Sequence, residues 1–497
     1  MSAVRSDRFD FAASVPDVSD LGRVHLVAVG GSGMSAVARL LLASGCVVTG
    51  SDQQQSRTLQ ELADEGVRVE VGHDAAHVAD ADTVIVSGAV RETNPELAVA
   101  RAQGLRVLHR AQGVAALLVG RDSVAVAGAN GKTTTAAMLT TALQAGGADP
   151  GYVLGAALVG DSNAALGTGP VVVEADDSDG SFVVYRPRVG IITNITPDHL
   201  DFHGDLAGVR RAFRAFADTV GAPGDGGLLV TNADDPVAAD LAGELRDLGR
   251  TVLTWGSSAE ADVVLDEIVT HARATSAVLR WSRDVAGIAA GSEHQLRIPM
   301  PGRHNLHNAA AALLTTVAGF DQPVASALRG LAAFPGTRRR FEVIGSAAGV
   351  QIVDDYAHNP DKVAAVVQAG RSVVGDHGRL VVAFQPHLYS RTAAFATELA
   401  AGLALADVVV LLEVYGARED PVEGVSSALI AERLRSLPGE AQVFSSGLDP
   451  TSAPGLLARL VRPGDLVLTV GAGDVTTVGP ALLAALGGPQ HSRKETP

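Results

Sequence analysis

The stretch that decides the fold class is a short apolar run, a glycine-rich turn and a helical segment: Ser123-Val124-Ala125-Val126-Ala127-Gly128-Ala129-Asn130-Gly131-Lys132-Thr133-Thr134-Thr135. The apolar run is typical of a buried strand, and the residues after the turn favour a helix that continues to Gln144. A Gly-Lys-Thr sequence in this setting ends a phosphate-binding loop, where the lysine reaches the β- and γ-phosphates and the threonine hydroxyl binds Mg²⁺. Val126 stands in place of the first glycine of the full motif. We nevertheless predict a nucleotide site here, because the flanking strand and helix are those that the motif requires.

Short apolar strands alternate with helical segments along nearly the whole chain, which predicts an α/β fold with parallel sheets. The pattern breaks near residue 120 and again at residues 334–337, so we expect three α/β domains. The predicted segments are an N-terminal tail (1–22), a Rossmann-like domain (23–120), a central P-loop-type ATPase domain (121–333), a C-terminal Rossmann-like domain (334–486) and a final tail (487–497).

Composition excludes several classes of protein. A net charge of −16 over 497 residues argues against sequence-independent binding to nucleic acid, which needs clustered Lys and Arg. Cys46 is the only cysteine, so an intrachain disulfide and a cysteine zinc site are excluded. No apolar run approaches the ~20 residues of a membrane helix, so we expect a cytoplasmic protein without membrane insertion. Only three of the 39 basic residues are lysines, which indicates that Lys132 supplies a compact ammonium.

An earlier turn also connects a predicted strand to a helix: Gly30-Gly31-Ser32-Gly33-Met34-Ser35-Ala36. From Gly31 it fits G-x-G-x-x-A, and Asp52 ends the next strand about twenty residues later. In such a fold the loop amides and the helix N-terminus face a diphosphate, and the acid binds a ribose hydroxyl. NAD and a diphosphate sugar both fit these residues, and a glycine turn without a ligand is the third possibility.

Further polar motifs follow predicted strands or open a helix. Four acids occur in the six residues from Glu174 to Asp179, which need a cation or solvent to balance their repulsion. His199 is either a metal ligand or a loop histidine. Asn305 reads a purine or caps its helix, and the arginines at 338–340 reach a γ-phosphate or are solvated. Two more motifs follow strands of the third block, at residues 354–360 and 385–392.

Together and in this order, these motifs resemble those of the Mur ligases of bacterial cell-wall synthesis, over about residues 23–480. The resemblance implies an ATP- and Mg²⁺-dependent ligase of peptidoglycan precursor synthesis, a monomer or homodimer with small-molecule substrates. It implies that ATP phosphorylates the lactyl carboxylate of UDP-N-acetylmuramate, that the amine of L-alanine attacks the acyl phosphate, and that ADP and phosphate leave. The choice among L-alanine, glycine and L-serine stays open.

The resemblance also implies roles for individual residues. Lys132, Glu174, His199, His358 and Arg391 would be catalytic; Thr133 would bind the ATP-linked Mg²⁺, and Glu174 and His199 would hold a second metal. ATP would be held by Gly128, Ala129, Asn130, Gly131, Lys132, Thr133, Thr134, Asn305 (adenine), Arg339 (a phosphate) and Asp355 (ribose). His358 and Arg391 would face the incoming alanine. The UDP-sugar would be held by Gly31, Ser32, Gly33, Met34, Ser51, Asp52 and Ser87.

Four departures from the usual pattern of the alanine-adding branch involve five positions. Ala129-Asn130 replaces Thr-His, Asp177 replaces Glu, Asn359 replaces His and Leu388 replaces Arg. The branches that add later amino acids use a carbamylated lysine shortly after the metal-binding histidine, and this chain has no lysine between Lys132 and Lys362. That favours the alanine-adding branch. The alternatives are a recycling ligase that adds a murein peptide to the same UDP-sugar, an NAD-dependent dehydrogenase and a non-catalytic nucleotide sensor.

Overall fold

The computed structural model describes residues 5, 6, 8–221, 227–271, 273–374, 378–417, 419–439, 441–445 and 447–487. All but Gly487 of the predicted C-terminal tail lies outside these residues. The chain divides into two compact units. The first consists of Met1–Ile268, Ser276–Ile298 and His304–Pro335, and the second of Val269–Thr275, Pro299–Arg303 and Gly336–Pro497. The three sheets described below make this a chain of three α/β domains, as predicted.

The predicted N-terminal tail is largely packed against the first domain. It forms a two-stranded antiparallel ribbon, β1 (Arg5–Ser6) and β2 (Phe9–Asp10), and a 3-10 helix at Val18–Asp20. Phe9, Phe11 and Leu21 are buried in the same hydrophobic core as the first sheet. This segment, predicted as an N-terminal tail, thus contributes apolar side chains to a hydrophobic core.

The first sheet has five parallel strands in the order β5-β4-β3-β6-β7. The order reverses beside β3, so the crevice at the carboxyl end of β3 is the place where such sheets bind ligands. Its elements are β3 (Arg23–Val27), α1 (Ser32–Ala43), β4 (Val47–Asp52), α2 (Arg57–Asp64), β5 (Arg68–Val71), a 3-10 helix (Ala75–Val78), β6 (Thr83–Val86), α3 (Pro95–Ala102), β7 (Arg106–His109) and α4 (Arg110–Ala116).

The central sheet has ten strands in the order β10-β9-β11-β8-β12-β13-β14-β15-β16-β17. Its elements are β8 (Ser123–Ala127), α5 (Lys132–Ala145), β9 (Gly151–Val153), β10 (Ala164–Ala165), β11 (Val171–Glu174), a 3-10 helix (Ser181–Tyr185), β12 (Val189–Ile192), α6 (Leu200–His203), α7 (Leu206–Thr219), β13 (Leu228–Asn232), α8 (Pro236–Asp247), β14 (Thr251–Gly256), β15 (Val263–His271), β16 (Ala274–Trp281), β17 (Glu293–Ile298), α9 (Arg303–Phe320) and α10 (Val324–Ala332). β10 pairs antiparallel with β9, whereas along the sheet from β9 by way of β11, β8, β12, β13 and β14 to β15 neighbouring strands pair in parallel. They are rich in Val, Leu, Ile and Ala because helices cover a parallel sheet on both faces.

The third sheet has six strands in the order β18-β19-β23-β20-β21-β22, with only β18 antiparallel. Its elements are β18 (Glu342–Ala347), β19 (Val350–Asp355), α11 (Pro360–Val374), β20 (Leu380–Phe384), α12 (Tyr389–Leu403), β21 (Val408–Leu411), α13 (Ala428–Ser436), β22 (Gln442–Phe444), α14 (Ala453–Leu460), β23 (Leu466–Val470), a 3-10 helix (Asp474–Thr477) and α15 (Val478–Ala485). Along β20, Val382 and Phe384 face one hydrophobic core and Val381 and Ala383 face another. None of the helices in the described parts of the chain has the length and apolar character needed to span a membrane.

Candidate active site

The phosphate-binding loop predicted from the sequence connects β8 to α5 at the carboxyl edge of the central sheet. β8 pairs in parallel with β11 on one side and with β12 on the other. The residues that end or follow these strands are therefore brought to the loop. They are Glu174, the last residue of β11, and Thr193 and Asn194, which directly follow β12.

Thr193 and Asn194 hold the backbone of the loop in place. The Asn130 N–H donates to Asn194 Oδ1 over 3.0 Å, and Asn194 Nδ2 donates back to the Asn130 carbonyl over 3.0 Å. Thr193 Oγ1 donates to the same carbonyl over 2.6 Å. The Ala129 N–H donates to the Asn194 carbonyl over 3.1 Å. These contacts fix the direction of the loop amides without using the side chain of Asn130.

Gly131 precedes α5 and has a backbone φ of 86°, a conformation that a residue with a side chain rarely adopts. A Cβ at this position would also lie 2.5 Å from Asn308 Oδ1. Asn308 is on α9, so this helix contacts the loop. Asn305, the predicted adenine contact, lies one turn earlier on α9 and is only 5% exposed.

Lys132 begins α5, and its ammonium group lies inside the loop. Nζ donates to the Gly128 carbonyl over 2.6 Å and to Asp177 Oδ1 over 2.7 Å. Burial alone would lower the pKa of Lys132, but the carboxylates of Asp177, Asp176 and Glu174 raise it well above its ordinary value. Lys132 is therefore a permanent cation at the position where a nucleotide phosphate would bind.

Thr133, the residue after Lys132, is paired with Glu174. Thr133 Oγ1 donates to Glu174 Oε2 over 2.8 Å, and the Gly155 N–H donates to the same oxygen over 2.8 Å. A hydroxyl and a carboxylate oxygen at this separation suit Mg²⁺, a hard cation that prefers oxygen ligands. Among the described residues, no group of three or more His, Cys, Asp or Glu side chains has the arrangement of a metal site.

His199, the other predicted metal ligand, is in the loop that leads into α6. It has a left-handed backbone with φ of 52°, and its N–H donates to Asp198 Oδ1 over 2.9 Å. His203, the last residue of α6, contacts the acidic segment, because its Nε2 lies 2.8 Å from the carbonyl of Asp177. His203 was not predicted from the sequence.

In the first domain, the predicted UDP-sugar loop follows β3. The Gly30 N–H donates to Asp52 Oδ2 over 2.9 Å, so Asp52 holds the loop itself. Met34 is buried in α1 and accordingly serves packing. The Ser87 carbonyl accepts from the Val90 N–H over 3.1 Å in the turn that follows β6.

Ser51, another predicted UDP-sugar residue, is fully buried beside Glu96. Ser51 Oγ donates to Glu96 Oε2 over 2.7 Å, and the Nδ1 atoms of His73 and His77 lie 2.9 and 2.7 Å from the same carboxylate. Burial raises the pKa of Glu96, but His25, whose Nε2 lies 3.7 Å from the carboxylate, and hydrogen bonds from Ser51 and His77 lower it to about 2. Sequence reasoning missed this cluster, since its members come from five separate segments.

The end of β7 contacts the acidic segment of the central domain, within the first unit. His109 Nε2 lies 3.3 Å from Asp179 Oδ2, and Arg110 Nη2 lies 3.4 Å from Asp176 Oδ2. Burial alone would raise the pKa of Asp176, but Lys132 and Arg110 lower it below its ordinary value. Neither His109 nor Arg110 was predicted as a site residue, although both stand at the carboxyl end of a parallel strand.

In the third domain, Arg339 and Asp355 bind their own sheet. Arg339 Nε lies 3.2 Å from Asp354 Oδ2, and its Nη2 donates to the Gly471 carbonyl over 2.6 Å. Asp355 accepts from the N–H groups of Phe341 and Ala357, each over 2.8 Å. Burial raises the pKa of Asp355. The contacts of both residues with ATP stay predictions.

His358 and Arg391 lie in one polar cluster of the third domain. The ring centroids of His358 and His387 are 5.5 Å apart. Burial, and then the positive charge of Lys362 and Arg391, lowers the pKa of His358 to about 3. Arg391 Nη1 is buried and has no hydrogen-bond partner among the described residues. An unsatisfied buried guanidinium nitrogen is costly unless a ligand pairs with it.

Three family models match successive parts of the chain. They are "Mur ligase family, catalytic domain" over residues 23–121, "Mur ligase middle domain" over 126–316, and "Mur ligase, glutamate ligase domain" over 339–473. Together they cover most of the sequence.

Similar individual proteins are known. A UDP-N-acetylmuramate–L-alanine ligase of Kineococcus radiotolerans is 52% identical over 479 residues, 95% of this chain and 98% of that one. The structure of a UDP-N-acetylmuramate–alanine ligase from Thermotoga maritima matches with a TM-score of 0.77 at 29% identity, over 94% of this chain and 99% of that one. A murein peptide ligase from Psychrobacter arcticus shares the fold, with a TM-score of 0.67 at 24% identity and coverage of 94% and 99%.

Proposed function

Because the chain belongs to the Mur ligase family, we propose that it joins L-alanine to the lactyl carboxylate of UDP-N-acetylmuramate while ATP is converted to ADP and phosphate. The observation that carries this proposal is 52% identity over 479 residues to a protein of that name. Such an enzyme contributes to peptidoglycan precursor synthesis, and so to cell-wall biogenesis, cell shape and cell division. We expect it to act in the cytoplasm on small-molecule substrates, as a monomer or homodimer.

The phosphate-binding loop supports the ATP part of the proposal. Its amides and the N-terminus of α5 would face the phosphates, and Lys132 would exchange Asp177 for the β- and γ-phosphates. Thr133 would hold the ATP-linked Mg²⁺, which would neutralise charge on the transferred phosphoryl group, and Glu174 beside it would hold a second metal. His199 would complete the metal ligands. Asn305, Arg339 and Asp355 would contact adenine, a phosphate and the ribose.

The proposed chemistry needs two steps, because a carboxylate alone has no good leaving group. In the first step a lactyl carboxylate oxygen attacks the γ-phosphorus of ATP, the bond to the β-phosphate oxygen breaks, and ADP leaves. In the second step the neutral amine attacks the acyl carbon, the C–O bond to phosphate breaks, and the nitrogen loses a proton. Lys132 would stabilise the charge of the first step, since two anions must approach each other.

The third-domain cluster supports the binding of an amino acid. Arg391 Nη1 is buried and has no hydrogen-bond partner within the described ranges, so it can receive the carboxylate of L-alanine. His358, whose pKa is lowered to about 3, is neutral at physiological pH. It therefore leaves the incoming amine without a further positive charge beside it. We propose domain boundaries at residues 23–120, 121–333 and 334–486, which leave this cluster in the third domain.

Phosphate release from ATP tests the proposal when UDP-N-acetylmuramate is present and single amino acids or a murein peptide are added in turn. We expect release with L-alanine. Release only with the peptide would make the protein a recycling ligase, a function that the Psychrobacter arcticus neighbour carries in its name. No release despite ATP binding would make it a nucleotide sensor. Reduction of NAD by the same sugar would support a dehydrogenase.

A further inference from the structure

The predicted diphosphate loop of the first domain has a cationic side chain against it that no sequence motif indicated. A Cβ added at Gly33 would overlap Arg110 Nη1, and it would lie 3.3 Å from Cδ and Cζ of the same residue. Gly33 is within helix α1 and does not have a positive φ. A side chain is excluded at Gly33 because the guanidinium of Arg110 occupies the space that it would need.

The position of Arg110 is where a diphosphate needs a counter-charge. Gly33 is in the first turn of α1, where backbone N–H groups and the helix dipole favour an anion. Amides alone leave most of the charge of a diphosphate unbalanced in a chain whose net charge is −16. Arg39, the arginine of α1, instead bonds Glu65 over 2.8 Å and lies 3.6 Å from Glu61.

Arg110 also has donors to spare. Within the described part of the chain, its hydrogen bond is the contact of 3.4 Å with Asp176, between side chains that are 33% and 42% exposed. A guanidinium has five N–H donors in a planar fork that matches phosphate oxygens. A long ion pair with this exposure contributes little to stability. Two other contacts already join the first and central domains, His109 to Asp179 and Asn163 Nδ2 to the Ser32 carbonyl over 3.2 Å.

We propose that Arg110 is a diphosphate-binding residue of the UDP-sugar site and that it exchanges Asp176 for the diphosphate when the nucleotide sugar binds. This inference rests on the proposed function. Asp176 belongs to the acidic segment whose carboxylates surround Lys132, so the exchange links occupation of the sugar site to the ATP site. Arg110 would thus couple the binding of the two substrates of the first step, the UDP-sugar and ATP.

Calorimetric titration of the full chain with UDP and with uridine tests the role of Arg110. We expect Arg110→Gln to weaken UDP binding at least tenfold while uridine binding stays unchanged, because only UDP carries the diphosphate. Asp176→Asn should leave UDP binding equal or make it tighter, since it frees the guanidinium. Arg39→Gln is the matched control, and it should bind both ligands like the wild type.

Two results would overturn the inference. One is UDP binding by Arg110→Gln that equals that of the wild type. The other is a loss of UDP binding in Asp176→Asn as large as that in Arg110→Gln, which would mean that the ion pair only stabilises the fold. If Arg110→Gln loses uridine binding as well, Asp176→Asn alone decides. A loss of UDP binding in Asp176→Asn as large as that in Arg110→Gln would then overturn the inference. Turnover of the wild type with ATP, UDP-N-acetylmuramate and L-alanine separates these failures from a failure of the proposed function. No UDP binding by an active wild type would also overturn the inference.

Discussion

Lys132 Nζ donates to Asp177 Oδ1 over 2.7 Å, so the lysine of the phosphate-binding loop is paired with a carboxylate that is almost completely buried. The same ammonium also donates to the Gly128 carbonyl. The pair keeps the lysine charged and pointed into the loop. It also means that either residue, removed alone, leaves the other buried without its charge partner.

Lys132→Ala should lower kcat at least about 10²-fold, since a charge that stabilises the transferred phosphoryl group is lost. It should also destabilise the fold because Asp177 remains buried. The double variant Lys132→Ala/Asp177→Asn separates the two effects. We expect it to melt close to the wild type in calorimetry and still release no phosphate. Phosphate release by the double variant, if it is as stable as the wild type, would show that Lys132 has no part in the mechanism.

Thr133→Ala should raise the Mg²⁺ concentration needed for half-maximal phosphate release by about tenfold, because one of two protein oxygens near the ion is lost. Thr133→Ser keeps the hydroxyl and should resemble the wild type. Thr141→Ala on the same helix removes a hydroxyl that bonds the Ala137 carbonyl. An equal shift in Thr141→Ala would mean that the helix, and not the ligand, determines the Mg²⁺ requirement.

Glu96→Gln should lower the free energy of unfolding at pH 7 by about 1–3 kcal/mol, the range for removing a charged partner from buried hydrogen bonds. The pKa of Glu96 is lowered to about 2 from an ordinary 4.5. Between pH 4.5 and about 2, the unfolded chain therefore binds more protons at Glu96 than the folded protein does. The contribution of Glu96 to stability is thus present above pH 4.5 and is lost as the pH falls to about 2.

Urea titrations at several pH values test the role of Glu96. The wild type should lose more stability than Glu96→Gln between pH 5 and the acid limit. Glu92→Gln is the control, because Glu92 is 45% exposed in its pairs with Arg8 and Arg101. Parallel acid limbs for the wild type and Glu96→Gln would contradict the lowered pKa.

Arg391→Gln should raise the KM for L-alanine at least about tenfold, because the carboxylate loses a charge-assisted hydrogen bond. The KM for ATP should change little. Arg371→Gln, which breaks an ion pair between helix α11 and Asp407 of the same domain, is the matched control. Initial rates measured at varied concentrations of L-alanine and of ATP give both KM values for each variant. A KM for L-alanine unchanged by Arg391→Gln would place the amino acid elsewhere.

The buried strands of the sheets were predictable from the sequence alone. β8 coincides with the apolar run Ser123–Ala127, and β11, β20 and β23 are short apolar runs of the same kind, because strands buried on both faces need apolar residues throughout. β5 (Arg68–Val71) escaped prediction, since most of its residues are exposed and it is at the edge of its sheet. Edge strands lack the pattern that a buried face imposes.

The candidate site was predictable only where it is local in sequence. Gly131, Lys132 and Thr133 stand together in the chain, so their role follows from their order. The pairing of Lys132 with Asp177 and of Thr133 with Glu174 depends on β11 lying beside β8, which sequence order does not state. Arg110 is a third case, since its approach to Gly33 depends on how β7 and β3 are placed in one sheet.

The central claim is amide-bond formation through an acyl phosphate, and oxygen transfer tests it most directly. UDP-N-acetylmuramate with both lactyl carboxylate oxygens labelled as ¹⁸O is incubated with ATP and L-alanine, and the released phosphate is measured by mass spectrometry. The account predicts one ¹⁸O in each phosphate and the other in the new amide carbonyl of the UDP-N-acetylmuramoyl-L-alanine product. Unlabelled phosphate, or ¹⁸O found in AMP, would contradict it.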